Sequence, residues 1–526
     1  HVQMPFPMNK LVLLALAGAL ANAGTAAAQS TEKPDAAALG KIRDEGMNRS
    51  KVMETAFYLT DVSGPRLANS DGLKRANEWT KTQLAKYGLV NANIEAWGDF
   101  GRGWDIEKSY AAMTAPYYHA MIGIPKAWTP STAGLVRKQV VVLKATTEEE
   151  LAKYKGQLRD KIVVMNVPNP PKPATEGPIK RYTAEELTKM TEPAAPRPER
   201  GTPDAAALAT RKTQMALRTA MADMLVSEGA AAVLSARGGI YGTFNTTNGA
   251  PYAADAKPVL PEMEMAPEDQ LRIIRLVEAG IPVEIEVETK TRFQTQDLKG
   301  YNVVAEIPGT DKKLKSEVVM LGGHLDSWHA AVGATDNAAG CAVMMEAVRI
   351  LKATGLKPRR TIRIALWGEE EEGLHGSRNY VKNHFADPAT MQLKPEHEKL
   401  AAYFNLDNGA GKIRGIYAQG NEAVAPIFTE WLKPFADLGA TTVTLRNTGS
   451  TDHVAFDAVG LPGFQFIQDG LDYFPTTHHT NQDTYDRLIA DDLKQASVVV
   501  ASFVYDAAMR DQKLPRKPLP TPAKPQ

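Results

Sequence analysis

The sequence predicts an α/β fold with a central sheet covered by helices on both faces, joined to a smaller β-rich unit. Two observations carry this. From Tyr301 onward, apolar runs of strand length alternate with amphipathic stretches of helix length, and a separate group of strand-like runs lies between 118 and 290. At 526 residues the chain also exceeds what a single core usually serves.

In chain order, Met8-Asn9-Lys10 leads into the short apolar run Leu11 to Ala17, and small residues follow to Ala28. A basic start, an apolar run too short to span a bilayer and an A-x-A-type site predict a secretory leader over 1–28 and an exported, periplasmic or secreted protein. Residues 29–117 contain helical patterns up to Gly88, broken by Ser63-Gly64-Pro65 and Asn69-Ser70, and then a strand over Asn91 to Trp97. The second unit, 118–290, has apolar runs at 139–143, 161–165 and 230–234. Near its end Val283, Ile285 and Val287 alternate with glutamates, the period of a strand with one buried face. Inside it, 168–203 is rich in Pro, Lys, Glu and Ala and reads as an exposed loop or lid with a short helix near 184–190.

Over 291–509 the strand candidates are 303–307, 318–321, 362–367, 403–406 and 464–467, and the helix candidates 337–351, 422–432 and 492–509. The Pro- and Lys-rich tail 510–526 has little to bury and is expected to be disordered. Lys+Arg and Asp+Glu balance at 61 each, which gives no support to nucleic acid as a partner. No stretch after the leader is long and apolar enough for a stable membrane span. Cys341 is the only cysteine, so no intrachain disulfide forms.

Residues with metal-binding chemistry follow the apolar runs one after another. Gly322-Gly323-His324-Leu325-Asp326 comes first: the glycines allow a close turn at the sheet edge, and His324 either offers an imidazole nitrogen to a metal, with Asp326 able to fix its tautomer, or is a turn histidine with no ligand. Asp336, ahead of a helix, either caps that helix or bridges two cations about 3.5–4 Å apart. Glu369 to Glu372 form either a solvated turn or a cation-neutralised group. Asp407 and the pair His478-His479 complete the series. Together they point to a metal site, with zinc favoured by mixed histidine and carboxylate donors.

At these residues the chain resembles the M28-type co-catalytic zinc aminopeptidase and carboxypeptidase family, and most resembles its plasma glutamate carboxypeptidase-like branch. The matching stretches are 324–328, 333–337, 370–374, 405–407 and 478–480. The resemblance implies a central mixed sheet of zinc-peptidase type, with an inserted protease-associated domain over 118–290. It implies two zinc ions per chain bridged by Asp336, one also held by His324 and Asp407 and the other by Glu371 and His479. Glu370 would be the general base, His478 would hydrogen-bond the oxyanion, and Asp326 would orient His324. Glu369 and Glu372 would be solvated or supporting groups, and 168–203 is not accounted for. The implied activity is exopeptidase cleavage of peptides or dipeptides, in the first instance as an aminopeptidase. The alternatives are a dipeptidase or glutamate carboxypeptidase-like enzyme and, in a different class, a receptor-like protein that keeps the fold without catalysis. His453 is either a pocket residue after a glycine-containing turn or a helix-start residue with Asp452 as the cap, and stays outside the catalytic set.

Overall fold

A computed structural model describes residues 32–193 and 205–522, so the expected leader and part of the expected lid lie outside the described residues. Among the described residues, two eight-stranded sheets organise the fold. The first runs in the order Val90–Asp99, Lys299–Ile307, Thr361–Trp367, Val318–His324, Leu400–Asn405, Gly463–Gln468, Ile413–Tyr417, Thr442–Thr444. Its middle four strands are mutually parallel, and antiparallel neighbours flank them on both sides, so the sheet is mixed.

Both faces are covered. The helices Ala36–Asn48, Ala339–Ala353 and Ala490–Met509 pack one face, where Val319, Leu321, Ile362, Ile364 and Phe404 are fully buried. The helices His375–His384 and His453–Asp457 cover the other, over Met320, Trp367 and Tyr403. Central strands buried on both faces explain why their sequences read as continuous apolar runs.

The second sheet has the order His119–Ala120, Gly103–Ala115, Glu284–Gln294, Val136–Leu143, Ile162–Met165, Ala232–Ser235, Glu262–Met265, Gly123–Pro125. It begins at Gly103, ahead of the expected boundary at 118, because Gly103–Ala115 pairs along nearly its whole length with Glu284–Gln294. The expected helix at 184–190 is the helix Ala184–Thr191, and Thr183 and Glu186 form a reciprocal capping box at its start.

The tail departs from expectation. Residues 510–517 pack against the first sheet's layer with Leu514 buried in its core, while 523–526 fall outside the described residues. Arg516 donates to the carbonyls of His397 and Leu400, and Asn421 donates to that of Pro515. Basic side chains bonded to backbone carbonyls anchor this segment, and composition gives no sign of such contacts.

Candidate metal centre

Each expected ligand or base stands at or just after the carboxyl end of a parallel strand or in the long loop beyond one, where open α/β sheets gather ligands. His324 is the last residue of Val318–His324, and Glu370 and Glu371 follow Thr361–Trp367. Asp407 follows Leu400–Asn405, and His478 and His479 come after Gly463–Gln468. Gly322 is required for close approach and not for a turn, since the strand continues through His324 and a Cβ at Gly322 would sit 2.0 Å from the Ala365 carbonyl oxygen.

Asp336 lies at the middle. His324 Nε2 is 3.3 Å from its Oδ1 and His479 Nε2 is 3.2 Å from its Oδ2. Asp407 Oδ1 is 3.4 Å from His324 Nε2, and Glu371 Oε2 is 2.9 Å from His479 Nε2. His478 stacks on His479 at 3.7 Å between ring centroids, with its Nε2 3.9 Å from Asp336 Oδ2. Glu370 Oε2 lies 3.9 Å from His324 Nε2. Of the two readings open for Asp336, helix capping is excluded: its side chain makes no cap hydrogen bond, and the helix begins at Ala339.

The donor set fits zinc. Asp336 Oδ2 and Glu371 Oε1 are buried without a hydrogen-bond partner, a costly arrangement for carboxylates unless a cation faces them. Burial pushes the Glu371 carboxyl up to about 7 and holds Glu370 well above the ordinary carboxylate range. Burial would also raise Asp336, but the adjoining His324 and His479 outweigh it and hold it well below. Burial likewise disfavours charge on His479, yet attraction to Glu371 lifts it to about 11. Crowded carboxylates thus draw positive charge onto the histidines, and bound cations supply that charge while displacing the protons. His324, Asp336 and Asp407 form one group able to hold an ion, and Asp336, His478 and His479 form another, with Glu371 against His479. The chain therefore carries the ligands of a co-catalytic two-zinc centre.

The supporting contacts differ in part from those expected. The nearer acceptor for His324 Nδ1 is the Asp326 backbone carbonyl at 3.1 Å, while the Asp326 carboxylate Oδ1 is 3.6 Å away. That carboxylate instead accepts the backbone N–H groups of Glu370 and Glu371, both at 3.1 Å, and so fixes the acidic turn. Glu369 is not solvated: it is buried and accepts a hydrogen bond from Trp97 Nε1 at 2.8 Å. Asp452 does not cap its helix through its side chain, and both it and His453 are buried.

Three supports were not singled out by the sequence. Asp483 accepts from the backbone N–H groups of Thr335 at 2.6 Å and Asp336 at 3.0 Å, which sets the direction of the central carboxylate. Arg66 is fully buried and donates to the carbonyls of Leu59, Leu325, Val332 and Gly333, bracing the loop between His324 and Asp336. Arg66→Leu strands those four acceptors and is expected to destabilise the protein by about 3–5 kcal/mol, read as a fall in Tm.

The third is a loop of the second sheet. His479 has φ 58°, a left-handed conformation that costs a non-glycine residue about 1–2 kcal/mol. Thr246 N–H donates to the His479 carbonyl at 2.8 Å, and Asn245 Nδ2 donates to that of His478 at 3.3 Å. The Asn481 side chain accepts from Phe244 N–H and donates to the Gly242 carbonyl, both at 3.0 Å. Asn481→Ala is expected to weaken one zinc by about 10–100-fold in a chelator-competition titration. Unchanged affinity at both positions would show that this clamp plays no part in holding His479.

Residues 302–504 match the model of Peptidase family M28. Carboxypeptidase Q of Mus musculus is 27% identical over 473 residues, 90% of this chain and 88% of that protein. Leupeptin-inactivating enzyme 1 of Streptomyces exfoliatus is 33% identical over 190 residues, 36% of this chain and 40% of that protein. Among solved structures, a peptidase M28 precursor from Shewanella amazonensis superposes with a TM-score of 0.64 at 24% identity, covering 92% of this chain and 98% of its own. A zinc aminopeptidase from Bacillus subtilis gives a TM-score of 0.52 at 18% identity, over 88% of this chain and 95% of its own. Both structural likenesses concern the fold.

Proposed function

We propose, from the premise that residues 302–504 belong to peptidase family M28 and that the chain is a metallopeptidase, that it removes a terminal residue from short peptides, acting as an aminopeptidase. The observation that carries this is one buried carboxylate, Asp336, set between two histidines that each have a further acidic partner. Asp336, His324 and Asp407 would hold one zinc, and Asp336, Glu371 and His479 the other. Zinc bound there supplies Lewis acidity, which lowers the pKa of water and polarises a carbonyl.

The protein's own groups do the rest. Glu370 takes a proton from the attacking water as the new C–O bond forms at the scissile carbonyl, and passes it to the amine nitrogen as the C–N bond breaks. His478, about one-third exposed beside Asp336, donates a hydrogen bond to the oxygen on which negative charge grows. Asp326 keeps Glu370 in place through its backbone, and Asp483 does the same for Asp336.

Support for the amino terminus comes from charge. The cations lining the large cavity beside the centre are already paired: Lys180 with Glu176, Arg181 with Asp469 and Asp492, and Arg487 with Asp472. Neither arginine stands ready for a terminal carboxylate, and Lys180 meets Glu176 only in an exposed pair. The second reading, a carboxypeptidase or dipeptidase, is favoured by the 90% of this chain that aligns with carboxypeptidase Q. Rates on an amino-acid anilide, an N-blocked peptide and a free dipeptide separate the two. An aminopeptidase cleaves the anilide and spares the blocked peptide, whereas cleavage of the blocked peptide at its carboxyl end overturns the assignment.

A further inference from the structure

A cavity of about 1310 Å³ opens beside the metal centre, larger than the roughly 300–1,000 Å³ that seats a drug-sized ligand. None of the expected ligands lines it, but neighbours of theirs do. Asn408 follows Asp407, Gln482 precedes Asp483, and the Phe474 ring lies 5.5 Å from that of His478, which stacks on His479. The room suits several peptide residues, more than one side chain.

The opposite wall comes from a strap, residues 174–192, which follows the second sheet's strand Ile162–Met165 and docks on the first sheet. Lys180 and Leu471 exchange backbone hydrogen bonds of 3.0 and 2.8 Å. Arg181 grips Asp492 with two bonds of 2.7 and 3.2 Å and reaches Asp469 at 3.0 Å. Asp469, fully buried, also accepts from Tyr182 N–H and Arg414. Beyond this anchor Leu187 and Met190 are buried against Ile467, and Thr444 bonds the Met190 carbonyl. A bidentate arginine and an apolar seat make the strap a fixed wall.

Two large apolar side chains are left uncovered on this cavity. Phe474 is 71% exposed and Tyr241 73% exposed, one from the loop before His478 and the other from the loop that clamps His479. Rings facing open space in a cavity beside a reaction centre are suited to a large apolar group.

We propose that this cavity seats the substrate, that Phe474 and Tyr241 grip a large apolar side chain next to the scissile bond, and that the strap restricts the enzyme to peptides of a few residues. The proposal rests on the exopeptidase reading and gives it a substrate class. The test is a matrix of kcat/KM values for zinc-loaded protein, using dipeptides and hexapeptides that carry Phe, Leu, Asp or Gly at either side of the terminal bond. Wild type is expected to favour Phe and Leu over Gly and Asp by tenfold or more, chiefly through KM, and dipeptides over hexapeptides by a similar factor. Phe474→Ala and Tyr241→Ala, both at exposed positions, are expected to reduce the Phe-to-Gly ratio by about tenfold. Arg181→Ala, which releases the strap while Arg414 still neutralises Asp469, is expected to raise the hexapeptide-to-dipeptide ratio by about tenfold. Hydrolysis with ratios that the variants leave unchanged overturns the proposal alone. Absence of hydrolysis on every peptide overturns the exopeptidase reading and the proposal together.

Discussion

In zinc-loaded protein, Glu370→Gln lowers kcat by about 10²–10⁴-fold and leaves both metals bound. Its carboxylate is 3.9 Å from His324 Nε2, farther than either Asp336 or Asp407, so its removal takes no donor from the nearer set. Glutamine keeps the shape and the backbone N–H that Asp326 holds, but it cannot carry the proton from water to amine. Steady-state rates paired with metal analysis check this. Normal turnover in a variant with two metals would remove Glu370 from the mechanism.

Asp336→Ala has the second large effect, and acts through the metals. The carboxylate faces His324 through one oxygen and His479 through the other, so its loss cuts both donor sets at once. The expected result is protein with neither zinc retained after dialysis and activity below detection. His479→Ala removes a donor from one side only, and is expected to lose one zinc and keep the other. Because an ion that binds the folded state alone raises stability, a chelator lowers the Tm of wild type and leaves that of Asp336→Ala unmoved. A variant that still holds two zinc ions would contradict the bridging assignment.

Much of the centre was legible because its chemistry sits at strand ends. Val318 to Leu321, Ile362 to Trp367 and Tyr403 to Leu406 are apolar except for Arg363 and Asn405, and the polar residues that follow each run have no packing reason to be there. What was not legible depends on long-range contact. Arg66 looks like one more basic residue after a turn, yet it is fully buried on carbonyls from 259 to 267 residues away. Arg181 lies in a stretch whose composition reads as an exposed loop, and its partners are 288 and 311 residues distant. The strand Gly103–Ala115 escaped because Asp105, Glu107 and Lys108 interrupt its apolar pattern, and pairing with Glu284–Gln294 decides its state. The helix Ala205–Glu228 is largely exposed and shows no strong apolar stripe to announce it.

The central claim is that one carboxylate, Asp336, joins two zinc ions into a single hydrolytic centre. Its most direct test is a titration of chelator-stripped protein with Zn²⁺, reading bound metal and hydrolysis of a short peptide in the same sample. Activity is predicted to be absent without metal and to reach its plateau at two zinc ions per chain. Hydrolysis by metal-free protein, or a plateau that needs no second ion, would contradict it.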